Sequence, residues 1–355
     1  MQRSSIVVKN TDPGGPENLS VHIDEVPVPG ASEVVIQTQY CALNYPDLLM
    51  TSGDYQLHPN VPFTLGSEAL GKVIECGSEV SAVKVGDVVH ALTWHGAFTT
   101  HLVVDAGPFA PREDAMRDVE AAVSPSTLLR APLSIVPNDL PTDKVAAMGF
   151  VYSTAYYTLK DRGNLSKGQR ILVLGASGGV GLAAVQIAIA TGADVVAATR
   201  GDEGHSLCRR FGARTIESDY LLDDERRRLE FKDNKRFDVV FDLLGGKYTE
   251  PALKTLRPEG RFLVIGFVSE KEKGSTTVHT GLVLVKECTL IGSAWGAWAS
   301  RNPSLHSANF DVLFSWLRDG TIDPFISRVI PLTEAAQALS LMQSGAVRGK
   351  VLLKA

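Results

Sequence analysis

Ile171-Leu172-Val173-Leu174-Gly175-Ala176-Ser177-Gly178-Gly179-Val180-Gly181 is the stretch on which the reading of this chain turns. Four consecutive apolar residues make a buried strand. The glycines after them make a tight turn, and the apolar run that follows makes a helix. Strand, glycine turn and helix in that order form a dinucleotide-binding unit. The pattern is Ala-x-Gly-x-x-Gly, with Ala176 where a first glycine usually stands. Gly178 lets the backbone approach a pyrophosphate, and Gly181 lets the helix pack closely on the strand. The backbone N–H groups of Ser177, Gly178, Gly179, Val180 and Gly181 at the helix start then face the phosphates.

The next strand, Asp194–Thr199, runs into Arg200. This is about 20 residues beyond Gly181, where an NAD site carries an acid for the ribose 2′-hydroxyl. A carboxylate there repels a 2′-phosphate, whereas a guanidinium holds it with paired hydrogen bonds. The expected cofactor is therefore NADPH. His205 and Arg209, one turn apart on the following helix, are placed to assist.

Further strands and helices alternate along this half of the chain. Strands are expected at Thr215–Ile216, Phe237–Leu243, Arg261–Ile265 and Thr289–Gly292. Helices are expected at Lys144–Leu159, Gly179–Thr191, Gly204–Phe211 and Tyr248–Leu256. Such alternation implies a parallel sheet covered on both faces. The run Asp223-Asp224-Glu225-Arg226-Arg227-Arg228 reads as a solvated helix face.

Residues 1–105 differ. Short apolar or alternating runs at Ile6–Val8, Leu19–Ile23, Val34–Tyr40, Ala69–Cys76, Val88–Leu92 and Phe98–Val104 are punctuated by Gly and Pro. They predict a compact antiparallel β domain. Residues 107–130, rich in Ala, Pro, Ser and acids, read as an inserted loop or lid. The chain ends in two helices, Asn309–Asp319 and Glu334–Gln343, and a strand, Lys350–Leu353. The fold class expected is α/β. A doubly wound Rossmann domain (141–296) joins a β-rich catalytic domain (1–140, completed by 297–355), in keeping with 355 residues.

Bulk properties narrow the function. Apolar residues make up 44% and charged residues 21%, enough for two cores. With 35 basic against 40 acidic residues the net charge is −5, which argues against nucleic-acid or anionic-membrane partners. No apolar run reaches the roughly 18–20 residues of a spanning helix. Met1-Gln2-Arg3-Ser4-Ser5 leads straight into Ile6-Val7-Val8, without the pattern of a signal peptide. The four cysteines, at 41, 76, 208 and 288, stand far apart and read as buried free thiols. A cytoplasmic location is expected.

Several segments together resemble the medium-chain dehydrogenase/reductase superfamily, and within it the zinc-free quinone oxidoreductase branch. They are Asn44-Tyr45-Pro46-Asp47, Ser52-Gly53-Asp54-Tyr55, Leu65-Gly66-Ser67-Glu68-Ala69-Leu70-Gly71 and Val85-Gly86-Asp87-Val88-Val89. Ser153-Thr154-Ala155-Tyr156, the glycine turn, Val264-Ile265-Gly266-Phe267 and Leu290-Ile291-Gly292-Ser293-Ala294-Trp295-Gly296 complete the set. The resemblance spans nearly the whole chain outside 107–130. It implies that the first domain is GroES-like.

Zinc members of the superfamily carry a cysteine where Asn44 stands and a histidine where Ser67 stands, and a four-cysteine lobe that is absent here. Asn and Ser are poor zinc ligands, so no metal is expected. Without a Lewis acid, hydride transfer to a conjugated acceptor is favoured over reduction of a simple ketone, because charge spreads over an enolate or hydroquinone. The resemblance places Tyr55 as a donor to that charge and Asn44 against the ribose or substrate, with Tyr45 lining the cleft. It assigns Gly266, Phe267, Val268 and Trp295 to the nicotinamide carboxamide. Thr154 is placed to contact the cofactor or else its helix simply packs, and Lys350, in a Gly349-Lys350-Val351 ending common in the family, either joins the cofactor set or is exposed. The remaining histidines show no ligand spacing.

Three readings stand at this point. The first is an NADPH-dependent reductase of a quinone or other enone. The second is an enoyl thioester reductase acting on acyl-CoA or acyl-carrier-protein substrates, which the acids at 113–120 disfavour for an acidic carrier. The third is an NADPH-binding sensor, structural protein or RNA binder. In relatives the strand near Leu290–Gly292 pairs across a two-fold axis, so a homodimer is expected.

Overall fold

The computed structural model describes residues 1–12, 14–106, 133–232, 235–269 and 276–355. The insert expected at 107–130 lies outside the described residues. The chain divides into two compact units, Met1–Phe150 with Gly296–Ala355, and Val151–Trp295.

The second unit is built on a six-stranded sheet. Across it run Arg214–Glu217, Asp194–Thr199, Arg170–Leu174, Phe237–Asp242, Leu256–Val264 and Thr289–Gly292, every pair parallel. Numbered by order of appearance this is 3-2-1-4-5-6, the doubly wound arrangement. Phe237–Asp242 is buried along its whole length, as a parallel strand covered on both faces must be. Leu172, Leu174, Val196, Ala198, Val240 and Phe262 form the centre of the core.

Three expectations change here. The helix expected at Tyr248–Leu256 is only Thr249–Leu253, because Leu256 already begins the next strand. The helix expected from Gly204 starts at Gly201, whose φ of +70° suits glycine. The charged run at 223–228 is helical over Asp224–Glu230, yet Arg227 is buried. Its guanidinium donates to the Leu221 carbonyl at 2.6 Å and to Asp224, so one arginine of an otherwise solvated face turns inward.

The first unit is β-rich. Its seven-stranded sheet runs Ile326–Pro331, Lys350–Lys354, Glu33–Ala42, Glu68–Cys76, Val88–Leu92 and Ser134–Ile135, with His101–Asp105 also pairing to Glu33–Ala42. The pairs are antiparallel except Ile326–Pro331 with Lys350–Lys354. A second sheet joins Leu19–Glu25, Gln2–Val8 and Phe63–Thr64. The strand expected from Phe98 begins at His101 instead. A short helix, Tyr45–Thr51, precedes the Tyr55 turn. The core here gathers Ile36, Leu43, Leu65, Val73, Phe98 and Val351. Cys41, Cys208 and Cys288 are buried and Cys76 is partly so, all four as free thiols. Among the described residues, no helix is long and apolar enough to cross a membrane.

Candidate functional site

Gly175 leaves its strand with φ of +68° and starts the glycine turn. A Cβ on Gly181 would fall 2.1 Å from the Gly175 carbonyl oxygen and 2.8 Å from the Ala176 Cα. Only glycine lets the helix Gly179–Ala190 sit this close to the strand exit. Gly178 is different. It caps that helix with φ of −80°, and a Cβ there would meet only the Gly175 oxygen, at 3.6 Å. The protein's own packing does not require this glycine, so its open side is where a ligand could approach.

The Thr199 hydroxyl donates to the Ser177 Oγ at 2.7 Å, which ties the turn to the neighbouring strand end. Gly204 accommodates that contact, since a Cβ there would lie 2.4 Å from Thr199 Oγ1. Arg200 follows Thr199 directly, is exposed, and caps the helix Gly201–Arg210. The strand end itself carries no acid, although Asp202 and Glu203 follow in the first helical turn. His205 and Arg209 are directed onto the third strand: His205 Nε2 meets Glu217 at 3.1 Å, and Arg209 Nε donates to Thr215 Oγ1 at 3.0 Å.

On the other side of the glycine strand, two loops are stitched together. Ile265, Val268 and Ser269 donate backbone N–H groups to the carbonyls of Asp242, Leu243 and Leu244 at 3.0, 3.1 and 2.8 Å. Gly266, Phe267 and Val268 are therefore held by the end of the strand Phe237–Asp242, which pairs with the glycine strand. Asp242 organises this corner and escaped sequence reasoning. Buried, it accepts from the Leu244 and Gly245 N–H groups at 2.9 and 3.0 Å and from the Thr249 hydroxyl at 2.7 Å. An acid at a strand end before Leu-Leu-Gly-Gly was the available signal. Thr154 is buried, its carbonyl accepting from the Thr158 hydroxyl at 2.7 Å. Trp295, buried, begins the helix Trp295–Arg301.

In the first unit, the structure brings Asn44 and Lys350 together in a buried polar cluster. Lys350 Nζ donates to the Leu43 carbonyl at 2.6 Å, to Asn44 Oδ1 at 2.7 Å and to Glu68 Oε1 at 3.1 Å. An ammonium has three donors, and all are engaged here. Lys350, expected in the cofactor set, thus has its place inside this cluster. The two protons of Asn44 Nδ2 are shared among Ala42 O, Ser67 Oγ and Glu68 Oε1 at 3.2, 3.1 and 2.8 Å. Glu68 Oε2 meets His90 Nε2 at 2.9 Å and accepts from the Phe150 N–H at 2.9 Å. His90 is a histidine that spacing alone gave no role.

Electrostatics follow from this geometry. Burial alone would push the Glu68 carboxyl up, but the Lys350 ammonium and the His90 hydrogen bond outweigh it and hold it at about 2. Asp47 accepts the Asn44 N–H at 2.8 Å from the third position of the Tyr45–Thr51 helix. Burial pushes its carboxyl up to about 7, against the hydrogen bonds from Asn44 and Ser67. Tyr55 is half-buried against the core of this unit. Burial, and then the charge of Asp47, push its phenol up to about 12. The phenol is thus a donor throughout the physiological range. Tyr45 packs against the same core.

Residues 30–108 match the family model of the alcohol dehydrogenase GroES-like domain, and residues 179–308 match that of the zinc-binding dehydrogenases. The chain is 30% identical over 327 residues to a quinone oxidoreductase-like protein 2 homolog of Nematostella vectensis, covering 91% of this chain and 82% of that one. It is 30% identical over 357 residues to the quinone oxidoreductase of Lama guanicoe, covering 99% and 98%. It superposes on Escherichia coli quinone oxidoreductase complexed with NADPH with a TM-score of 0.82 at 26% identity, covering 99% and 100%.

The second family model is named for zinc, a metal held by thiolate, imidazole and carboxylate ligands. Among the described residues, no group of three or more His, Cys, Asp or Glu could hold a metal ion. Where zinc members carry cysteine and histidine stand Asn44 and Ser67, and the charge of Glu68 is matched by Lys350. These residues do not make a zinc site. GroES-like first unit, 3-2-1-4-5-6 dinucleotide sheet and matched relatives agree: the chain is an oxidoreductase that belongs to the quinone oxidoreductase-like branch of the medium-chain dehydrogenase/reductase superfamily.

Proposed function

We propose that this chain is an NADPH-dependent reductase that works without zinc and delivers hydride to a quinone or other conjugated enone. The observation that carries this reading is the Asn44–Ser67–Glu68–Lys350 cluster. Amide, hydroxyl and an internally neutralised carboxylate are a poor ligand set for a Lewis-acidic metal. A conjugated acceptor needs none, because its negative charge develops on a delocalised oxygen that a hydrogen-bond donor can meet. Tyr55 is that donor, kept protonated by burial and by Asp47. When bound, the reduced nicotinamide supplies the hydride. The N–H groups from Ser177 to Gly181 hold the pyrophosphate, Arg200 the 2′-phosphate, and the Gly266–Val268 segment with Trp295 and Thr154 the nicotinamide end. The NADPH-bound Escherichia coli relative supports the cofactor.

Steady-state oxidation of NADPH and NADH against 1,4-benzoquinone, 9,10-phenanthrenequinone, an alkenal and crotonyl-CoA tests this. Turnover with the quinones or the alkenal is expected. Turnover confined to crotonyl-CoA would assign the chain to thioester reduction instead. In the same assay Tyr55→Phe should lower kcat on the alkenal; an unchanged kcat reduces Tyr55 to packing.

Arg200→Ala should raise the KM for NADPH roughly 10- to 150-fold, the worth of about 1.5–3 kcal/mol of charge-assisted hydrogen bonding. The KM for NADH should hardly move. Equal losses for both cofactors remove Arg200 from the 2′-phosphate.

The assembly we infer is a homodimer. Thr289–Gly292 is the edge strand of the parallel sheet, with Leu290 exposed, and the helix before it exposes Leu284 and Val285. An unpaired strand edge beside apolar side chains suits pairing with a second copy. Equilibrium sedimentation showing only monomer at micromolar concentration would exclude it.

A further inference from the structure

The buried cluster around Lys350 has a direction. An ammonium only donates, so Asn44 must turn its Oδ1 toward Lys350 and its Nδ2 toward Ser67 and Glu68. The reversed amide would set an NH2 group against NH3⁺. Ser67 Oγ accepts from Asn44 at 3.1 Å. Donors thus point one way, from Lys350 through the Asn44 amide to Ser67 and Glu68. Asp47 in turn holds the Asn44 N–H at the start of the Tyr45–Thr51 helix. That helix leads into the turn carrying Tyr55, and Asp54 N–H closes the turn onto the Leu49 carbonyl at 2.9 Å.

Glu68 keeps the lysine in place from the other side. Its second oxygen is pinned by His90 and the Phe150 N–H. Gly149 makes room for His90, since a Cβ there would lie 2.0 Å from the imidazole Nε2. Gly349, with φ of +59°, lies against the Phe325 carbonyl and brings Lys350 inward.

We propose that Lys350 is a positioning residue for the reducing site: paired with Glu68, its ammonium fixes the Asn44 amide and thereby the Tyr45–Thr51 helix and the Tyr55 turn. This rests on the reading that Asn44 and Tyr55 serve the acceptor. Lys350 supplies the fixed internal cation of a site whose residues do not suit a metal, and it acts through Asn44 rather than on the cofactor.

The test compares wild type with Lys350→Met, Lys350→Arg and the double variant Glu68→Gln/Lys350→Met, which removes both charges and preserves the fold if the single variant does not. Amide hydrogen exchange, NADPH binding by fluorescence, and kcat and KM for a quinone and an alkenal are measured on each. Lys350→Met is expected to speed exchange at residues 44–55 while leaving 179–190 unchanged. It should lower kcat roughly 10- to 100-fold, as misplacement of catalytic groups does. NADPH affinity should stay within about twofold, and Lys350→Arg should recover part of kcat, because its planar fork fits the three acceptors imperfectly. Unchanged exchange at 44–55 overturns the proposal whatever the turnover. Faster exchange with undiminished kcat overturns it as well, since the fixed helix would then not serve the reaction. A fall in NADPH affinity matching that in kcat would return Lys350 to the cofactor. If the wild type reduces no acceptor, the functional reading fails, and exchange alone decides whether Lys350 fixes the helix.

Discussion

Gly181→Ala is expected to cost the second unit about 3 kcal/mol or more and to abolish dinucleotide binding. The added Cβ meets the Gly175 carbonyl oxygen at 2.1 Å and the Gly175 carbonyl carbon and Ala176 Cα at 2.8 Å. All three are backbone atoms, which cannot rotate away as a side chain can. Overpacking of this kind costs at least the upper end of about 1–3 kcal/mol. For a unit of this size, each kcal/mol lowers Tm by about 2–4 °C, so a fall of roughly 6–12 °C is expected in a thermal melt. The helix start to which we assign the phosphates shifts with the backbone. Gly178→Ala is the informative control. Its φ of −80° suits alanine and its nearest neighbour lies 3.6 Å away, so its Tm should match wild type. If the pyrophosphate approaches at Gly178, NADPH affinity still falls in this variant. A Gly178→Ala protein that binds NADPH as wild type does would move the phosphates elsewhere on the turn.

The contrast between these two glycines shows why this region was legible from residues alone. Its constraints are local: strand, turn and helix follow one another within a dozen or so positions, and the strands Arg170–Leu174, Asp194–Thr199 and Thr289–Gly292 fall where periodicity put them. Other elements hid for identifiable reasons. Tyr45–Thr51 is one short helix of seven residues, too brief for a 3.6-residue period to declare itself, although Asn44, Pro46 and Asp47 make a recognisable helix start. Gly281-Leu282-Val283-Leu284-Val285 is apolar on successive positions, and in the structure it is a helix that leaves Leu284 and Val285 exposed. Ile326–Pro331 became a strand only through its parallel pairing with Lys350–Lys354.

The site divides along the same line. The place of Arg200 at the end of the second strand could be read from its distance to the glycine turn. Lys350 could not be read as a buried cation, because Asn44 and Glu68 lie 306 and 282 residues away along the chain. Nothing near Lys350 in sequence indicates that a carboxylate awaits it. Arg227 shows the same effect at short range, since a carbonyl six residues back draws it out of a charged run. Motif resemblance drew attention to Asn44 and Ser67 as missing metal ligands. What those two side chains bond to required three dimensions.

Asp47→Asn should make the protein more stable than wild type at alkaline pH and lose that advantage as the pH falls. Folding raises the Asp47 carboxyl from 3.8 to about 7, because burial disfavours its charge. A group raised on folding contributes stability that is whole below its unfolded value and is lost as pH rises through its folded value. In wild type that loss runs from about pH 4 to about pH 7 and totals about 4 kcal/mol. Asparagine stays neutral throughout and keeps an oxygen to accept the Asn44 N–H, so its stability lacks this decline. Unfolding free energies of both proteins from urea titrations at about pH 5 and about pH 8.5 should therefore diverge by about 3 kcal/mol in favour of the variant at the higher pH. The sign bears on the site. A negative Asp47 is what helps to push the Tyr55 phenol up, and it lies in the same cluster as a Glu68 that Lys350 already neutralises. Near neutrality one added proton decides whether the cluster is neutral or carries a net negative charge. A difference that stays constant from acid to alkaline pH would mean Asp47 is ionised throughout, with the Lys350 ammonium shared between two carboxylates rather than held by Glu68. In that arrangement the Asn44 amide would lose the fixed orientation that Lys350 gives it.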